Sequence, residues 1–251
     1  MMGYTHAAIG AAGALAVATF CGDGSPEQFL IASVAGAVGG VAIDIDTRDN
    51  RTNPKVTDAG RTRLAAIGLV GVGVALDFIL KTGILFDIIA RQYFALGGLV
   101  GFIAVMLIGF FSPHRTFSHS LLFVLISSAA VYFICPEAVV YYSIGCLLHL
   151  IFDMLNHQFE NHGIWLLYPI KTGKGIALGV CKAARKGNKV FYFIGIVLFA
   201  LLSGFYIWQI GDLTKSIIPA VILLYMIVVM HFVRRKSEKE QRHIMHMRGE
   251  L

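Results

Sequence analysis

The sequence predicts an all-α, polytopic transmembrane helical bundle of about eight spans with both termini in the cytoplasm. Three observations carry that expectation. Apolar residues make up 57% of the chain and charged residues only 14%, against about a quarter charged in a soluble domain, so most of the surface cannot face water. The apolar residues come in blocks as long as the roughly 20 residues that a helix needs to cross a bilayer. And the basic residues fall in alternate loops: of 21 Lys and Arg, only Lys81, Arg91 and Lys215 lie outside one set.

Taken in order, the apolar blocks are 4–20, 27–45, 62–80, 92–112, 118–135, 137–156, 190–210 and 216–233. Lipid offers no partner for backbone N–H and C=O groups, so each block must be helical. The first has no Lys or Arg ahead of it, unlike the n-region of a cleaved signal peptide. Gly36 and Gly40 on the second stand at small-xxx-small spacing, which lets helix backbones approach closely, and spans one to three are expected to form a tight inner bundle. Pro113 ends the fourth span, and Thr116 or Ser118 is expected to cap the fifth.

The domain reading follows. Residues 1–156 form the membrane bundle, and 157–189, too polar and Gly-broken to span, form an interfacial cap with Trp165 to Tyr168 at headgroup level. Residues 190–233 supply two further helices, and 234–251 form a basic cytoplasmic tail. The positive-inside rule places the basic-rich loops and both termini in the cytoplasm. The formal net charge of +6 is then a cytoplasmic-face charge that suits anionic lipid headgroups, with no nucleic-acid partner implied. The four cysteines lack C-x-x-C spacing and imply neither zinc knuckle nor redox motif; a Cys21–Cys135 disulfide is left open.

Ionisable groups are costly in membrane spans and mark functional sites. Here they share one depth. His6 opens the first span, and Asp44 and Asp46 close the second. His114, Arg115 and His119 lie around the start of the fifth, and His149 and Asp153 sit in the last turns of the sixth. His149 and Asp153 are four apart, on one helical face, and can bind one ion together; a hydrogen-bonded pair inside the bundle is the plainer alternative. Asp44 and Asp46 are two apart and meet a common ion only if the helix unwinds there. Carboxylates at the negative end of a helix dipole also call for a compensating cation.

Four His and three Asp exceed what one tetrahedral zinc needs and would suit two ions, Zn²⁺ or Mn²⁺ by ligand type. Metal at such a centre supports phosphoester displacement. Arg115, a fork that matches phosphate oxygens, is expected to bind a substrate anion, and Asp46 to serve as ligand or general base. The expected substrate is a lipid or lipid-linked phosphoester. Two other classes stay open: a metal-ion or proton transporter, and a non-catalytic membrane regulator with a structural metal.

Several of these segments also form a pattern. Thr5-His6, the Asp44-Ile-Asp46 pair after a Gly-rich helix, the run from His114 to Ser120, and His149 with Asp153 followed by Gly163 to Pro169 together resemble the membrane-bound, LexA-regulated metal-dependent hydrolase family, YdjM-like inner membrane proteins. The resemblance covers roughly residues 1–170. It implies a multi-pass inner-membrane hydrolase with divalent metal. Two positions depart from the family pattern: Thr47 follows the Asp pair where His is frequent, and Ser118 stands where Thr is common.

Overall fold

A computed structural model describes residues 2–47, 54–155, 163–172, 175–179 and 186–247. Nine α-helices occur among them: α1 (Gly3–Cys21), α2 (Pro26–Ala42), α3 (Pro54–Leu80), α4 (Ile84–Ala90), α5 (Gln92–Phe111), α6 (Leu121–Ile134), α7 (Val139–Met154), α8 (Lys186–Ile210) and α9 (Ile217–Met247). Seven of them contain a stretch long and apolar enough to cross a membrane. The eighth expected span is α6, with only 14 residues. At 1.5 Å per residue it is about 21 Å long. It starts at Leu121 rather than 118 because the preceding loop, Ser112 to Ser120, takes up the missing depth. That loop is non-helical, a state tolerated at membrane depth only where protein buries it; Arg115, Thr116, Ser118, His119 and Ser120 are all buried. Ser120, not Thr116 or Ser118, caps α6 by accepting the Phe123 N–H at 3.2 Å.

The tight inner bundle is α1, α2 and α7, not the first three spans. Gly36 and Gly40 on α2 meet Gly10 and His6 on α1 and Gly145 on α7, backbone against backbone. A Cβ added at Gly40 would lie 2.4 Å from the His6 carbonyl oxygen, and one at Gly145 would lie 2.3 Å from that of Gly36. The third glycine-bearing partner, Gly145, decides the grouping. Outside this trio α3 packs on α9, and α8 on α1.

Two further elements differ from the sequence reading. The 81–91 connection contains α4, whose N-terminus is capped by Asp77: its carboxylate accepts the Ile84 and Leu85 N–H groups at 2.9 Å each. The segment expected as a solvated tail from 234 is instead the end of α9 as far as Met247. It is held by Arg234–Glu238 at 2.9 Å, an i,i+4 pair, and by an ion pair between Glu240 and Arg61 of α3. Cys21 and Cys135 are free thiols. Of the expected cap, 157–162, 173–174 and 180–185 lie outside the described residues. The described part folds on the α5–α6 loop: Ile164 and Ile176 pair as an antiparallel bridge, and the Trp165 N–H donates to the Arg115 carbonyl at 3.2 Å.

Candidate metal centre

Four chain segments deliver the expected site residues to one end of the bundle. The first turn of α1, which carries His6, is fixed from outside. Asn188 of α8 accepts from the Met2 N–H (3.0 Å) and the Thr5 hydroxyl (3.1 Å) and donates to the Tyr4 hydroxyl (2.8 Å). Asp58 of α3 accepts from the Gly3 N–H at 2.6 Å. These bonds satisfy N–H groups that a helix start otherwise leaves unpaired.

The second segment follows α2. The helix ends at Ala42 and tightens into a 3-10 turn, Ile43–Asp46. With three residues per turn, side chains two apart no longer point in nearly opposite directions, as the Asp spacing required. Arg63 of α3 clamps this turn, donating to the Asp44 carbonyl (3.3 Å), the Thr47 carbonyl (3.1 Å) and the Thr47 hydroxyl (2.8 Å). Thr47 therefore has a structural duty at the position where the family pattern often has His.

The α5–α6 loop brings His114 to His119. It is pinned by the Thr116 hydroxyl on the Pro113 carbonyl at 2.6 Å and bent by Arg115 at φ 68°. A left-handed backbone costs a non-glycine residue about 1–2 kcal/mol. Its return here is an Arg115 N–H aimed at Asp46, 2.8 Å away. The last turns of α7 supply His149 and Asp153, one helical turn apart, both buried.

The side chains meet around one point. Asp44 Oδ1 lies 3.8 Å from His119 Nε2 and 3.6 Å from His149 Nε2. Asp153 Oδ2 lies 3.5 Å and 3.8 Å from the same two nitrogens. One ligand atom from each of these four residues lies within 4.8 Å of every other. Ligands about 2.0–2.1 Å from a tetrahedral zinc-sized ion stand roughly 3.3 Å apart, so a small contraction would close the set on an ion. The tautomers suit that role. His149 Nδ1 faces the Gly40 carbonyl at 2.7 Å. A carbonyl only accepts, so Nδ1 carries the proton and Nε2 presents a lone pair. The Nε2 atoms of His119 and His149 are buried and make no hydrogen bond, as metal-facing nitrogens should be.

His6 joins at the edge. Its Nε2 sits 3.2 Å from Asp153 Oδ1, the oxygen turned away from the four-residue set. Its ring stacks on His149, with centroids 3.7 Å apart and planes 17° apart. An ion in the plane of the His149 ring therefore lies well off the plane of His6, and His6 can bind it only by tilting.

Asp46, His114 and His119 make a second convergence of ligand-type atoms. Here the contacts are closed hydrogen bonds. Asp46 Oδ1 takes His114 Nδ1 at 2.9 Å, and Oδ2 takes the Arg115 N–H at 2.8 Å and the Ser118 hydroxyl at 2.6 Å. His119 Nδ1 is 3.2 Å from the same Oδ2. His114 Nε2 in turn accepts from Arg115 Nε at 3.3 Å. Asp44 and Asp46 thus address opposite edges of the His119 ring, and Asp46 has the geometry of a carboxylate that orients a metal-binding histidine. Ser118, the second departure from the family pattern, contributes a hydroxyl to this arrangement.

A comparison against known families places the chain. The model of the YdjM inner membrane protein family matches residues 1–237. The chain belongs to the YdjM inner membrane protein family. The match reaches well past the motif-bearing first 170 residues and into α9, so α8 and the membrane part of α9 belong to the family's architecture. With its apolar helices, membership makes this a multi-pass inner membrane protein. No curated protein and no solved structure matches it.

All seven expected site residues gather at this end of the bundle. Sequence reasoning missed their supports: Arg63, Asn188, Asp58 and the Gly40 carbonyl. Asn188, Asp58 and Arg63 carried a usable signal, polar side chains at or just inside span ends, where lipid disfavours them. Gly40 carried none, because any residue has a carbonyl.

Proposed function

We propose that the chain is a membrane-embedded, metal-dependent hydrolase acting at the cytoplasmic face on a lipid or lipid-linked phosphoester. One divalent ion, zinc or manganese by ligand type, is held by Asp44, His119, His149 and Asp153. The observation that carries this reading is the pair of buried, unbonded imidazole nitrogens facing two carboxylates drawn from three separate segments. Buried carboxylates and imidazole nitrogens gathered this closely form a ligand set that a divalent ion would bind and neutralise. A bound ion of this class supplies Lewis acidity and lowers the pKa of a bound water.

The chain's own residues account for the rest. Asp46 holds His119 in register and Asp153 is steadied by His6. Arg115, itself buried, donates from Nε to His114, whose side chain is 44% exposed. Its guanidinium is suited to hold a phosphate oxygen in the transition state. The basic residues concentrated on the loops at this end support a cytoplasmic orientation.

One observation favours a second reading, in which the ion is structural. The four ligands would complete a tetrahedron, and all four are buried; catalytic zinc keeps a position open. Transport is less well supported, because the ligands lie at one end of the bundle rather than at mid-membrane. The deciding experiment pairs elemental analysis of purified protein with a hydrolysis screen on lipid phosphoesters. About one ion per chain and turnover that is lost in His149→Ala support the hydrolase. One ion with no turnover, and a thermal midpoint that falls on chelation, support the structural reading. No ion after reconstitution removes both.

A further inference from the structure

Away from the metal centre, α3 and α5 stand apart, joined at their far end by α4. Between them lies a cavity of about 340 Å³. Its floor is formed by Leu30 and Val38 of α2 and Tyr142 of α7. Its mouth is framed by Val70 and Val74 of α3 and Leu99 of α5, which are 40%, 44% and 46% exposed. The single carboxylate on its wall, Asp77, is turned into the α4 cap, where it accepts the Ile84 and Leu85 N–H groups. What remains is a carbon-lined cleft open sideways. Water gains nothing there, since a buried water needs two to four polar partners. In a multi-pass inner membrane protein the mouth faces lipid hydrocarbon.

Size and position narrow the occupant. A carbon-lined cavity of about 340 Å³, open sideways to the bilayer, has room for an acyl chain and offers a polar headgroup no partner. Its two floor helices run directly to the metal centre. Val38 precedes Asp44 by six residues, about 9 Å of helix, and Tyr142 precedes His149 by seven, about 10 Å. α4 closes the opposite end.

The geometry points to this cleft as the seat of one acyl chain of a membrane phospholipid, whose headgroup then lies toward Asp44 and His149. The seat rests on the cavity and the membrane setting; the role of the headgroup as substrate rests on the hydrolase reading above. The test uses full-length protein in lipid nanodiscs containing a phosphatidylglycerol with a photoactivatable diazirine midway along one acyl chain. Cross-links should concentrate on 30–38 and 70–77 over the lipid-facing surfaces of α8 and α9. Val74→Trp fills the mouth from an exposed position, and Gly73→Leu fills the wall, where a Cβ meets only ordinary contacts at 3.4 and 3.5 Å. Each should abolish the concentrated cross-link while leaving metal content unchanged. Cross-links spread evenly over the lipid-facing helices, or retained in both filling variants, would overturn the seat. His149→Ala should keep the cross-link. Cross-linking without lipid hydrolysis by the wild type would leave the seat standing and remove the headgroup's role as substrate; hydrolysis without the cross-link would do the reverse.

Discussion

Replacing Asp46 by Asn tests whether this carboxylate orients the centre or binds the ion itself. In the structure Asp46 accepts from three groups, His114 Nδ1 at 2.9 Å, the Arg115 N–H at 2.8 Å and the Ser118 hydroxyl at 2.6 Å, and lies 3.2 Å from His119 Nδ1, which meets the Ser118 hydroxyl at 3.0 Å. Asn keeps the shape but has only one acceptor oxygen. With that oxygen placed toward Arg115, Ser118 and His119, its amide N–H faces the His114 N–H and one hydrogen bond is lost. The others lose their charge. Hydrogen bonds to charged groups contribute about 1.5–3 kcal/mol each and neutral ones about 1, so one bond lost and two weakened make a destabilisation of at least about 2.5 kcal/mol. Loss of an orienting partner behind a metal-binding histidine weakens metal binding about 10- to 100-fold, or about 1.4 to 2.8 kcal/mol. The assay is competition for Zn²⁺ against a chromophoric chelator, with a thermal melt of the same sample. Unchanged affinity would refute the orienting role. Binding lost as completely as in Asp44→Ala, in a protein that still melts cooperatively, would make Asp46 a direct ligand.

Four other outcomes are expected. His149→Ala and Asp153→Ala should each lose the ion while still inserting in the membrane, read by elemental analysis of the membrane fraction; full metal content in both would exclude them as ligands. Gly145→Val, whose Cβ would fall 2.3 Å from the Gly36 carbonyl oxygen, should cost about 1–3 kcal/mol by overpacking; an unmoved thermal midpoint would show that α2 and α7 do not depend on this contact. His119 is buried, with Asp46 at one edge of its ring and Asp153 at the other. An imidazole must be deprotonated at the nitrogen that binds an ion, so metal affinity should fall as pH falls through the histidine range; affinity unchanged with pH would contradict this. Arg115→Gly removes the guanidinium and relieves the positive φ of 68°, so it should abolish phosphoester turnover with metal content and stability preserved; normal turnover would free Arg115 from any role with substrate.

Much of the fold was legible because lipid leaves the chain few choices. Apolar blocks of spanning length must be helices, and a helix stands at each of the eight blocks, seven of them of spanning length, with α6 shorter and α3 and α9 running past their blocks. The clustering of the site at one end was legible for the same reason: alternating spans put the ends that carry His6, Asp44, His119 and His149 on one side. The end of α2 ahead of Asp44 and Asp46 could be inferred as well, since the regular helix would hold the two carboxylates apart.

Only the tertiary structure decided how the seven residues divide. Asp44 and Asp46 are alike in the sequence, and each addresses a different nitrogen of the same His119 ring. Which one meets an ion depends on where the Arg115 N–H and the Ser118 hydroxyl point, and that is set by the loop's bend and by the cap segment bonded to it. Local pattern cannot carry this information, because hydrogen-bond partners 69 and 72 residues away are chosen by packing. The grouping of α1, α2 and α7 was hidden for the same reason. Glycines permit close approach along any helix, and only complementary surfaces on a partner determine which approach occurs.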